Sequence, residues 1–239
     1  MIKKYHDISI VVRTSMAINP YVKRPFNLKK EELLLKCLKS LLESCNLVKN
    51  RVKLYVVDDS GPENIRNKIR ELLSLYKINS ELIKIEVKSN KKSLEFSYNL
   101  LKKAKSDLLF LADDDYLYTK QAFSFILNAY DDRIIGTDQF AIYPFDEPTR
   151  YEKIYPSYIF LSKDSHWRSI GHSTGSIIIP KKLFIKNEKV FNRFVETLSE
   201  KGSINELWKE IPLISPIPSL VAHLNSDTIP PFVKWEKYL

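Results

Sequence analysis

The sequence predicts an α/β protein in which a mostly parallel sheet is wound with helices, and three observations carry that reading. Between residues 8 and 112, β-branched and aliphatic runs alternate with amphipathic stretches in the order strand, helix, strand, helix, strand, helix, strand, the pattern of parallel strands joined by crossovers. Leu108 to Ala112 are five consecutive apolar residues bounded by charge, as suits a strand covered on both faces. Two of the strands run straight into acids, Asp58-Asp59 and Asp113-Asp114-Asp115. That is the carboxyl edge of the sheet, where open α/β proteins bind ligands.

Taken in order, Asp7-Ile-Ser-Ile-Val-Val-Arg13-Thr14 reads as the first strand, ending in a basic and a hydroxyl residue at the sheet edge. Residues 15 to 28, with Pro20 and Pro25, read as loop. From Leu28 to Cys45 the apolar positions Leu33, Leu34, Cys37, Leu38, Leu41, Leu42 and Cys45 recur at three- and four-residue steps, which predicts a helix. Val52 to Val57 form the second strand, and Ser60-Gly61-Pro62 turns the chain into a helix over 63–76. A third strand is expected over Leu82–Val87, a helix over Ser93–Ala104, then the central strand. After the acidic triplet a helix is expected over Thr119–Tyr130. Residues 133–180 change character: strand-like pieces at Arg133–Gly136, Phe140–Tyr143 and Tyr158–Leu161 are broken by prolines, and helices follow near 187–200 and 203–210.

The 239 residues suffice for one large domain with a sizeable core, and 44% apolar and 12% aromatic residues exclude disorder. No apolar stretch reaches the roughly 18 residues of a membrane span, and Met-Ile-Lys-Lys-Tyr-His at the start lacks the apolar core of a signal peptide. The expectation is a soluble, cytoplasmic protein, with peripheral association at a membrane surface left open. Cys37 and Cys45 lie eight residues apart on one predicted helix, about 12 Å between Cα atoms, so they are read as buried thiols and not a disulfide. The net charge of +9 lies wholly in residues 1–120, where 24 basic residues face 15 acidic ones. A polyanion such as nucleic acid or a lipid surface is one explanation of that excess; solvated, lysine-rich helix faces are the plainer one and are preferred. The five glycines make neither a Gly-x-Gly-x-x-Gly fingerprint nor a phosphate loop, which argues against a dinucleotide enzyme or a P-loop NTPase.

Three adjacent carboxylates raise one another's pKa unless a cation neutralises them. Oxygen ligands favour Mg²⁺ or Mn²⁺, held by one or two carboxylates together with substrate phosphates. The competing role, an N-cap for the next helix, needs one acid and not three.

These pieces together resemble the GT-A glycosyltransferases, in particular the family 2-like group. The resemblance is strongest over residues 7–120 and rests on Ile-Ser-Ile-Val-Val-Arg-Thr, Tyr-Val-Val-Asp-Asp-Ser-Gly, the helix with Ser97-Tyr98-Asn99, and Leu-Phe-Leu-Ala-Asp-Asp-Asp as a DXD-type motif. Downstream, Gly171-His-Ser-Thr-Gly-Ser-Ile-Ile-Ile-Pro180 is similar to an acceptor-side loop and strand, and Ser219-Leu-Val-Ala-His223 to a histidine that completes a metal site. It implies a single GT-A domain, with a donor half over 1–120 and an acceptor half with a metal-completing segment over 121–239. It further implies a metal-dependent, inverting hexosyl or deoxyhexosyl transfer from a UDP- or GDP-sugar to a hydroxyl of a glycan or other acceptor, with Mn²⁺ or Mg²⁺ as cofactor and no nucleic-acid partner. Residue by residue, the resemblance places Arg13, Thr14, Asp58, Asp59 and Asn99 on the donor, with Asp113 and Asp114. Asp115, Asp113 and His223 become the metal ligands, the register within the triplet being open by one residue. For the base that takes the acceptor proton, Glu206 is preferred over Asp164 and Glu196. His166, Trp167 and His172, with Arg168, line the expected acceptor pocket, where an aromatic face packs on sugar rings. Two other classes stay open: a basic nucleic-acid-binding protein, and a catalytically inactive carbohydrate-binding relative.

Overall fold

A computed structural model describes residues 5–18 and 23–239 of the chain. Pro20, read as loop, and residues 1–4, read for a leader, lie outside the described residues. Strand β1 (Ile8–Ser15) has β2 (Val52–Asp59) on one side and β4 (Leu108–Asp113) on the other, both parallel to it; β3 (Asn79–Ile85) extends the parallel set beyond β2. The expected crossovers are present as α1 (Lys30–Asn46), α2 (Glu63–Ser74) and α3 (Asn90–Lys103). All seven apolar positions that predicted α1 are buried. Cys37 and Cys45 are both buried and unbridged. Among the described residues no helix is long and apolar enough to cross a membrane.

Past the acidic triplet, β5 (Tyr116–Tyr118) precedes α4 (Ala122–Asp131). The sequence assigns Tyr116–Tyr118 to no element, since three residues carry no readable periodicity. Arg133–Gly136, expected as a strand, is a turn after α4, with Arg133 at φ 47° and Gly136 at φ 82°. The second half then adds β6 (Ala141–Ile142), β7 (Ile159–Leu161), β8 (His166–Ser169), β9 (Ile178–Pro180), α5 (Lys181–Lys186), α6 (Glu188–Thr197), β10 (Leu213–Ile217) and β11 (Val221–His223). The helix expected over 203–210 is a 3-10 helix, Ile204–Lys209.

Among the described residues one nine-stranded sheet in the order β3-β2-β1-β4-β9-β6-β10-β8-β7 runs through both halves, and β5 pairs with β11 in a separate two-stranded ribbon. Strand β9 enters antiparallel to β4 and so joins the halves. Helix α3 packs on β1 and β4 beside α5 and α6, while α1 packs on α2, α4 and β5. A second, smaller core of Leu33, Cys37, Leu117, Ala222, Leu224 and Trp235 fastens the C-terminal segment to α1 and the ribbon.

At the amino end of the parallel strands Asp131, on the last turn of α4, accepts from the backbone N–H of His6 at 2.9 Å, contacts its Nδ1 at 3.0 Å and holds both oxygens against Arg51 Nη2. Burial opposes its charge, but the His6 and Arg51 contacts outweigh it and hold the carboxyl below its ordinary range. A depressed carboxyl stabilises the fold above its unfolded pKa and loses that contribution as pH falls through the folded value. Asp131→Ala is therefore expected to cost about 3 kcal/mol at pH 7 in urea denaturation. The difference from the parent should shrink as pH falls from about 4 towards 2, since both chains then lack the anion.

Candidate active site

Parallel register decides which side chains meet at the carboxyl edge. Arg13 lies opposite Asp113, Thr14 opposite Asp58, and Ser15 opposite Asp59. Arg13 donates from Nε and Nη2 to Asp113 Oδ1 at 2.9 and 2.6 Å, and from Nη1 to Asn90 Oδ1 at 2.8 Å. Asp58 is buried beneath the edge, accepting from Thr14 Oγ1 and Arg66 Nη1, each at 3.1 Å. Asp59 accepts from Ser60 Oγ and from the backbone N–H groups of Val87 and Lys88, fixing the loop that leads into α3.

A cleft of about 600 Å³ opens over this edge, bordered by Arg13, Thr14, Lys30, Asp59, Lys88, Ser89, Asn90, the three triplet aspartates and His223. That volume lies in the range of small-molecule and cofactor sites. The triplet is neutralised within the protein, one cation to each acid. Asp113 has Arg13, Asp114 has Lys30 Nζ at 2.6 Å, and Asp115 has Arg24 Nη1 at 2.6 Å. Asp114 also accepts from Ser15 N–H at 2.9 Å. Burial, with the charge of Asp115, outweighs Lys30 and pushes the Asp114 carboxyl up to about 6. Burial likewise opposes the charge of Asp115, but His223 and Arg24 overcome it and hold that carboxyl far below its ordinary range. Burial works against a charged His223, and Asp115 and Asp113 raise it in spite of that.

The ribbon brings His223 to the triplet. Its Nε2 lies 3.4 Å from Asp115 Oδ2, and the imidazole packs edge-on against Tyr116. Asp115 Oδ1 is buried and has no hydrogen-bond partner among the described residues. That orphaned oxygen and the imidazole nitrogen are the donors a divalent cation would use. Among the described residues no group of three His, Cys, Asp or Glu side chains is assembled for a metal, so the pair fits an ion whose remaining ligands are oxygens of a bound molecule or water.

The other expected site residues are dispersed. Asn99 is exposed on α3; the residues of that helix at the cleft are Asn90 and Ser93, in its first turn. The sequence reading began this helix three residues late and so missed Lys88-Ser89-Asn90, although Ser89, whose Oγ caps α3 by accepting from Lys92 N–H, is a residue type that signals a helix start. Arg24 and Lys30 also escaped it, because nothing local marks them. Trp167 is fully buried and its indole N–H donates to Ser162 Oγ, leaving no face for a sugar ring. His166 and His172 are exposed outside the cleft; His172 meets Tyr155 edge-on. Asp164 accepts from Asn128 Nδ2 at 2.7 Å, Glu206 pairs with Lys209 at 2.5 Å, and Glu196 is exposed on α6. None of the three carboxylates borders the cleft.

Gly61 closes the turn against Asp58: a Cβ there would stand 2.5 Å from Asp58 Oδ1. Gly61→Ala is expected to cost about 1–3 kcal/mol by overpacking, read as a lowered melting temperature. An unchanged melting temperature would show that Asp58 is not held as described.

The sequence model of glycosyl transferase family 2 matches residues 26–189. No curated protein matches the chain. Among solved structures, S. aureus TarS 1-349 in complex with UDP aligns at TM-score 0.54 and 14% identity over 87% of this chain and 57% of that one. The same fragment without UDP named aligns at TM-score 0.50 and 15% identity over 76% of this chain and 49% of that one. The chain thus spans about half the length of these relatives, and identities this low speak for the fold alone. With the matched residues covering more than half of the chain and the mixed sheet agreeing, the protein belongs to glycosyl transferase family 2 and has its GT-A-type fold.

Proposed function

We propose that the chain is a GT-A domain, donor half 1–120 and acceptor half 121–239, that transfers a sugar from a nucleoside-diphosphate sugar to a hydroxyl acceptor. The observation that carries this reading is the cleft at the carboxyl ends of β1, β2 and β4, in which Arg13, Lys30 and Lys88 face the acids of the triplet. A nucleoside diphosphate presents both complementary features, anionic oxygens for the cations and hydroxyl donors for Asp59 and Asp113. UDP is the ligand named with the S. aureus relative, and it supports a UDP- or GDP-type donor here.

Arg13 is oriented before any ligand arrives, since Asp113 and Asn90 fix its guanidinium, so little side-chain freedom is lost on binding. Positive charge from Lys30 and Lys88, which border the cleft, stabilises the diphosphate as the bond to the anomeric carbon breaks. Mn²⁺ or Mg²⁺, held by Asp115 and His223, supplies further neutralisation of that leaving group when bound. The inverting reading requires a carboxylate to take the acceptor proton. Glu206 or Asp164 would have to leave Lys209 or Asn128 to do so. That separation is the observation favouring a second reading, a relative that binds nucleotide sugars without turnover.

Thermal shift with UDP and GDP, each with and without Mn²⁺, tests the first part. Ligand at a hundred times its Kd is expected to add about 2.7 kcal/mol of stability, and Asp115→Asn is expected to abolish only the Mn²⁺-dependent share. A full Mn²⁺ response in that variant would sink the assignment of Asp115. Release of sugar from the donor separates enzyme from inert binder, since the second reading allows binding and no hydrolysis.

A further inference from the structure

At the opposite end of the sheet a second cavity of about 550 Å³ lies between His6, the residues leading into β4, the turn after α4, and α5. We propose that it binds a phosphomonoester. Four lysines border it, Lys105, Lys181, Lys182 and Lys186, against two acids, Asp107 and Asp138. Lys181 is engaged, its ammonium donating to the carbonyl of Ala104. The ammonium groups of Lys105, Lys182 and Lys186 have no ion pair or hydrogen bond among the described residues. Three unneutralised ammonium groups around one cavity repel one another, and an anion seated among them relieves that repulsion.

The second observation is His6. Its backbone N–H and Nδ1 are both held by Asp131, and its carbonyl accepts from Arg51 Nε at 2.7 Å, so the ring cannot turn. Nε2 is buried and has no hydrogen-bond partner among the described residues, its nearest acid being Asp138 with Oδ2 at 3.6 Å; His6 itself borders the cavity. A phosphomonoester supplies what these lysines lack, anionic oxygens that accept from each ammonium group. Pro180 and Ile185 give the organic part an apolar wall. The cavity lies at the start of β4, whose six residues at about 3.3 Å each put it about 20 Å from the acidic triplet. A ligand here therefore occupies a site separate from the cleft.

The chain has four histidines, so their Cε1 protons give four NMR signals assignable by single variants, and His223 reports on the cleft while His6 reports on this cavity. Titration with inorganic phosphate is expected to shift His6 saturably, equally in the parent and in Asp115→Asn. The double variant Lys182→Gln, Lys186→Gln should weaken that response at least tenfold while leaving the unliganded His6 signal in place, the sign of an intact fold. A saturable shift at His223 alone, no saturable shift at His6, or an unweakened response in the double variant would each overturn the proposal. Co-sedimentation with phosphatidic acid vesicles identifies the source: sedimentation lost in the double variant assigns the phosphate to a lipid headgroup, and a His6 response without sedimentation assigns it to a soluble ester.

Discussion

The structure of the site depends on one electrostatic constraint. Three consecutive carboxylates, two of them more than nine-tenths buried, remain at the end of β4 because each meets a cation from a different part of the chain: Arg13 from β1, Lys30 from α1 and Arg24 from the loop between them. Taking an acid and a base out of water costs several kcal/mol per ion unless the pair is close and well hydrogen-bonded. Contacts of 2.6 Å in all three pairs meet that condition. They also tie the first strand, the first helix and the central strand to a single point, so the cleft is assembled by charge where the apolar core ends.

The same pairs alter what the acidic triplet means. From sequence, crowded acids ask for a divalent cation; in the fold, side chains already answer much of that demand. Arg24 takes Asp115 Oδ2 and also donates to the carbonyl of Leu224 at 3.2 Å, leaving Oδ1 as the open oxygen. A metal at this corner would therefore add charge to acids that are already paired, and in the proposed complex Arg13, Lys30 and Lys88 would border the diphosphate with or without it.

What the sequence made legible follows from what is local. The parallel strands, their order and the helix faces were readable because each is encoded by periodicity within a dozen residues, and Arg13, Asp59 and the triplet were readable because strand ends in such a sheet share one edge. Lys30 and Arg24 were not, since a lysine opening a helix looks the same whether it points to solvent or to Asp114. Trp167 misled for a related reason: an aromatic between His166 and Arg168 suits a sugar platform, but strand alternation turns it into the core. Resemblance alone carried His223, and its place beside Asp115 is set by the β5–β11 ribbon, a pairing of residues more than a hundred positions apart.

That ribbon shows why the two halves need each other. Asp115 sits between β4, which belongs to the parallel sheet, and β5, which pairs with β11. The backbone N–H of Leu224 donates to the carbonyl of Asp115 at 2.9 Å, and Leu224, Ala222 and Trp235 pack with Leu117 and α1 in the smaller core. The imidazole is thus positioned by apolar packing of the C-terminal segment, and the acid it meets by the sheet. Loosening either would separate donor atoms that no single element brings together, which makes the chemistry of the cleft a property of the junction and not of the aspartates alone.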